Sequence, residues 1–164
     1  MSLKIVRYPS TILRQVCHKV DVIDDYIKEL AKDMLTLMYA ENGVGLSAPQ
    51  VGTDERLIVV DVSETKNDPI VMVNPEILNK SNPQFGLEGC LSFKGIFENV
   101  KYPGKITVKY TSLDGNLHVK DCVGLLAQAV SHEIDHLDGV LFIDRMDVSK
   151  QTTVRKKLLK PKGT

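Results

Sequence analysis

Apolar positions along the chain keep two different spacings, and the change of spacing marks out its elements. In "DDYIKELAKDMLTLMYAENG", residues 24–43, Ile27, Leu30, Ala31, Met34, Leu37 and Met38 recur at helical spacing. They predict a long amphipathic helix, started near Asp24 or Asp25 and stopped by Gly43. That stripe, methionines included, reads as core packing. "RLIVVDV" and "IVMVNPEIL" are then rich in β-branched residues and bounded by turn formers, which predicts strands. "KITVKYTSLDGNLHVKDCV" has alternating arms on either side of Asp114-Gly115, the pattern of a hairpin. Gly124 opens a second helix, from about Leu125 to Leu137, closed by Gly139 and apolar along Leu126, Val130 and Ile134. The order helix, strands, helix predicts an α+β fold: antiparallel or mixed strands packed around a central helix, with an N-terminal amphipathic helix. Residues 1–148 read as a single domain and 149–164 as a basic C-terminal tail that could form a short helix capped by Ser149.

At 164 residues the chain fits one domain with a proper core. Its 21 basic and 21 acidic residues balance, so no global field points to DNA or to a membrane. Tryptophan is absent and aromatics are few, which argues against stacking platforms for single-stranded nucleic acid. Apolar runs are too short to span a bilayer, and "MSLKIVRYPS" has no signal-peptide core, so a cytoplasmic protein is expected. Cys17, Cys90 and Cys122 are too few and scattered for a disulfide framework, so reduced thiols are expected. The tail carries Lys150, Arg155, Lys156, Lys157, Lys160 and Lys162 and no acid.

"HEIDH", residues 132–136, lies on the second predicted helix. At about 100° per residue, His132 and His136 sit about 40° apart on one face, close enough to share a cation. Glu133 is about 100° from His132, beside the pair, where a general base belongs. Catalytic sites of this kind want three protein ligands. No histidine or glutamate follows His136, and Asp138 comes only two residues later, so the third ligand is expected upstream. In "GLEGCLSFKG", Cys90 is flanked by Gly89, Ser92 and Gly95, and a thiolate with two imidazoles suits a divalent transition metal. The bland reading, a small buried apolar residue, is preferred for Cys17 and Cys122. His18 and His118 have no partners at ligand spacing and read as structural or solvated. "ENGVGLSAPQVG" is a loop able to lie against a ligand, with the Gln50 amide as a donor.

Taken in order, "GVGLSAPQ", "EGCLS" and "HEIDH", with "LDG" after the last and the lead-in "PSTILRQVCHKV", resemble the motifs of the peptide deformylase family. The resemblance implies a catalytic deformylase-like domain over residues 1–148, built round a metal-binding helix. Cys90, His132 and His136 would hold the divalent metal, normally Fe(II), with Zn(II), Ni(II) or Co(II) able to substitute. The affinity series alone would favour zinc over iron. The reaction implied is removal of formyl from the formyl-methionine of nascent polypeptides, giving formate and a free amine. Glu133 would carry the proton, and the Gln50 amide and Leu91 N–H would meet the oxyanion. The formylated peptide would lie along Val44 and Gly45 as an added strand. Its methionine would enter an apolar pocket near Val44, Leu125 and Ala129. The basic tail has two readings, a solvated, frayed terminus and, by the same resemblance, a contact with the ribosome.

Four positions depart from the family pattern: Ser47, Lys94, Ser131 and Tyr102. Tyr102 stands where an arginine often pairs with the motif glutamate, here Glu88. A buried Glu88 would need another partner, and the Tyr102 hydroxyl is a candidate donor. Two competing readings are a metallopeptidase, disfavoured by the missing downstream ligand, and a non-catalytic module that docks through its basic tail. The second is disfavoured by the intact Cys90, His132, Glu133, His136 and Gln50.

Overall fold

In the computed structural model, which describes residues 2–159, helix α1 spans Asp25–Ala40. The Asp24 carboxylate caps it by accepting from the Ile27 N–H at 3.0 Å. It stops earlier than Gly43 suggests. Asn42 takes the left-handed turn at φ 57, and the Gly43 N–H returns to the Met38 carbonyl at 2.9 Å.

Five strands follow in sheet order: β1 (Gly45–Ser47), β2 (Leu57–Val60), β3 (Ile70–Gly89), β4 (Phe97–Thr111) and β5 (Leu117–Val123), each paired antiparallel with the next. β2 explains how the layers form. Leu57 and Val59 pack with the apolar face of α1, while Ile58 and Val60 pack with helix α2, Gly124–Leu137. A strand covered on both faces can be apolar at every position, and "LIVV" is. The fold is therefore α+β, an antiparallel sheet with α1 and α2 on opposite faces.

β3 runs eleven residues past the expected Leu78, through the exposed polar stretch "NKSNPQ", paired with the early part of β4. No hydrophobic alternation announces this arm, because backbone pairing and not burial holds it. Its consequence is positional: β3 ends at Gly89, so Cys90 opens the turn that closes a long hairpin. The turn after it feeds Phe93 and Ile96 into a third core with Leu13, Val100, Phe142 and Val154.

Helix α3 spans Val148–Leu159. Asp147, not Ser149, caps it, accepting from the Lys150 N–H at 2.9 Å. Lys160 and Lys162 of the basic tail lie outside the described residues. No helix among the described residues is long and apolar enough to cross a membrane.

Candidate active site

α2 presents His132 and His136 one turn apart, and the end of β3 presents Cys90 to them. Cys90 Sγ lies 3.3 Å from His136 Nε2, and the two Nε2 atoms are 3.2 Å apart. All three atoms fall within 4.8 Å of one another. Two imidazole nitrogens and a sulfur aimed at one point fit a transition-metal ion, and the set matches the preference of such ions for thiolate and imidazole donors. On the far side of His132, Nδ1 is hydrogen-bonded to the Glu88 carboxylate. Because a carboxylate only accepts, Nδ1 carries a proton there, which leaves Nε2 as the nitrogen turned to the cluster.

Burial sets the electrostatics. It pushes the His136 imidazole well below the ordinary histidine range, with His132 adding to the effect. For His132 burial acts in the same direction, but Glu133, Cys90 and Glu88 outweigh it and hold the group well above that range. Glu133 is raised to about 7 by burial, against the pull of His132. Its Oε1 is buried with no hydrogen-bond partner among the described residues. A carboxyl poised near neutrality, with a free oxygen, can take a proton and return it. Gly45 lets it come this close: an added Cβ would lie 2.6 Å from Glu133 Oε2.

Gln50 is locked from both ends. Its Oε1 accepts from the Ser47 N–H at 3.0 Å and the Ser47 hydroxyl at 2.9 Å. That turns the amide nitrogen toward Cys90 Sγ at 3.4 Å and Ser92 Oγ at 3.3 Å. Ser47, one of the departures, thus adds a bond that alanine would lack. The Cys90 carbonyl accepts from the Phe93 N–H at 2.9 Å, forming the tight turn that contains Leu91.

Comparison with known proteins decides what this constellation belongs to. A model of the polypeptide deformylase family matches residues 2–152. The chain is 46% identical over 160 residues to the peptide deformylase of Endomicrobium trichonymphae, covering 98% of this chain and 95% of that one. The peptide deformylase of Pseudomonas aeruginosa is 42% identical, over 96% of this chain and 95% of its own length. A peptide deformylase from Legionella pneumophila superposes with a TM-score of 0.90 at 36% identity, covering 97% of this chain and 99% of that one. The chain belongs to the polypeptide deformylase family.

Peptide deformylases remove the formyl group from nascent peptides with the help of a metal, and this chain is an enzyme of that class. Beside the cluster opens a cavity of about 520 Å³, bordered by Val44, Gly45, Gln50, Leu91, Phe97 and Glu133. Two of the anticipated deformylase pocket residues do not border it. Leu125 is half-exposed on the first turn of α2, and Ala129 is buried between α2 and the sheet. Lys94 lies exposed on the cavity rim.

Tyr102 is not the partner of Glu88. That carboxylate is engaged by His132 and, at 3.5 Å, by Gln128 Nε2, which also donates to the Leu87 carbonyl at 3.2 Å. Tyr102 instead lies against Gly86, where an added Cβ would meet its ring at 2.8 Å. With Ser131, the other departure, it lines a second cavity of about 550 Å³ behind Glu88. Sequence reasoning missed Gln128 and Arg7, which donates to the Leu91 carbonyl at 2.9 Å across 84 positions. Neither residue type at those positions signals its role.

The remaining candidates are quiet. His18 pairs with Asp54 at 3.4 Å on the surface, and His118 bonds Ser112 Oγ at 2.9 Å and stacks on Tyr110. Cys17 and Cys122 are buried, and burial lifts the Cys17 thiol to about 11, away from reactivity.

Proposed function

We propose that Cys90, His132 and His136 together hold one divalent metal, Fe(II) in the cell, and that the chain deformylates formyl-methionine peptides there. Such an ion supplies Lewis acidity for a water molecule and for the formyl oxygen. The observation that carries the reading is Glu133: a buried carboxyl oxygen without a partner among the described residues, next to three convergent ligand atoms.

Water adds to the formyl carbon, and Glu133 takes its proton. As the C–N bond breaks, Glu133 delivers that proton to the leaving amine, giving formate and a free N-terminus. The Gln50 amide and the Leu91 N–H donate to the oxygen that gains charge; removing one such donor commonly costs about 3 kcal/mol. The peptide adds as a strand along Val44 and Gly45, and its methionine side chain enters the cavity that Val44, Gly45 and Leu91 border. The exposure of Val44 beside the cavity supports the first part of that path.

In this reading residues 1–148 form one catalytic domain built round the metal-binding helix α2, and the enzyme works in the cytoplasm. The tail from residue 149 contacts ribosomal RNA. Exposed Arg155, Lys156 and Lys157 on α3 support that role, although Val154 of the same helix is buried in the third core. Ribosome binding that weakens with salt and is lost on deleting residues 150–164 is expected; salt-independent binding would count against it.

Metal retention tests the ligand set. After anaerobic loading with Fe(II) and gel filtration, the parent retains one ion per chain, while Cys90→Ala and His132→Ala lose it. Equal retention by both variants would remove the proposal.

A further inference from the structure

The N-terminal segment crosses beneath both loops that supply the oxyanion donors. The Val6 N–H donates to the Gln50 carbonyl at 2.7 Å, and the Tyr8 N–H to the Ser92 carbonyl at 3.0 Å. Between them Arg7 Nη1 donates to the Leu91 carbonyl at 2.9 Å, while the Tyr8 ring stacks on Phe93 with centroids 4.8 Å apart. Arg7 has no carboxylate partner among the described residues, so its charge is committed to this carbonyl and to the cavity it borders.

We propose that Arg7 is a positioning residue for deformylation: its guanidinium sets the direction of the Leu91 N–H by holding the Leu91 carbonyl. The inference rests on the reading of that N–H as an oxyanion donor. The physical reason lies in the two peptide groups flanking the Leu91 Cα. The first, which contains the Leu91 N–H, is held at its carbonyl end by the Phe93 N–H. Among the described residues, the second is held by Arg7 alone through its carbonyl oxygen; its N–H belongs to Ser92, inside the same turn. With both planes held, φ and ψ of Leu91 are fixed, and so is the donor. Release of the second plane frees ψ of Leu91, and the turn can then rotate between its remaining anchors, the Phe93 bond to Cys90 and the Tyr8 bond to Ser92. A charged donor holds a carbonyl more firmly than a neutral one, which explains an arginine here without an acid partner. Preorganised donors act only when aimed at the oxygen of the transition state, so the effect belongs in kcat.

The test uses full-length, metal-loaded protein and a formyl-Met tripeptide, with Arg7→Met, Arg7→Lys and Arg7→Gln beside the parent. Arg7→Met should lower kcat about tenfold with KM within about twofold, and Arg7→Lys should recover part of the loss. Should Arg7→Met fail to fold, Arg7→Gln, which keeps a neutral donor, should show the same split at smaller size. A raised KM at unchanged kcat would mean that Arg7 binds the peptide, and would overturn the proposal. A lowered melting temperature at unchanged kcat, measured well below the transition, would mark a merely structural bond and overturn it equally. Glu133→Gln in the same series separates the two levels: if it stays active, the proposed mechanism fails whatever Arg7 does.

Discussion

The Glu88 carboxylate accepts the Nδ1 proton of His132, and that one bond decides which imidazole nitrogen faces Cys90 and His136. It also joins two motifs distant in sequence, so the motif glutamate serves the metal site from behind its ligand. Removing it by Glu88→Ala strands a buried donor and frees the ring to turn. Affinity for Zn(II) in a chelator competition should fall by about 10–100-fold. Affinity equal to the parent would show that His132 needs no orienting partner.

Gln128 supports the same carboxylate, and Tyr102 does not. Gln128→Met should therefore weaken metal binding by a few-fold, roughly the effect of losing one neutral hydrogen bond. Tyr102→Phe should leave it unchanged. The reverse ranking in the same competition would restore Tyr102 as the partner.

Gly45 matters for the space it leaves beside Glu133. A methyl group there would collide with Oε2 at 2.6 Å. Gly45→Ala should fold and bind metal, because its backbone and the ligand set are untouched, yet lose at least about tenfold in kcat as the proton carrier is displaced. Full activity would mean that Glu133 tolerates another position.

Protonation of Glu133 links stability to pH. The group titrates near 4.5 when exposed and at about 7 in the fold, raised by burial. Between those values the folded chain keeps a proton that the unfolded chain releases. Its contribution is thus fully present below about pH 4.5 and lost as pH rises to 7, amounting to roughly 3 kcal/mol. In chelator-stripped protein, Glu133→Gln removes this dependence. Its melting temperature relative to the parent should climb across that window and level off above it. A difference that stays flat would contradict the assigned burial.

Much of this was legible in the chain, and the reason differs by element. The apolar stripe from Ile27 to Met38 and the Asp114-Gly115 turn declared α1 and the β4–β5 hairpin, because burial and turn geometry impose their own periods. The outer arm of β3 was silent, since "NKSNPQ" is held by backbone pairing that any polar sequence can make. His132, Glu133 and His136 could be placed together because a helix fixes their relative angles. Cys90 could be joined to them only through the family resemblance. Partners such as Glu88 for His132, or Arg7 for Leu91, depend on tertiary approach and carry no local signal. For that reason the sequence offered Tyr102 as a candidate donor to Glu88, where the fold supplies His132 and Gln128.

The account stands most directly on release of formate from a formyl-Met tripeptide by protein reconstituted anaerobically with Fe(II), with Glu133→Gln loaded in parallel. It predicts steady formate release by the parent and near-complete loss in the variant at equal metal content. A parent that holds metal and binds the peptide yet releases no formate would contradict it, as would a variant that retains the parent's rate.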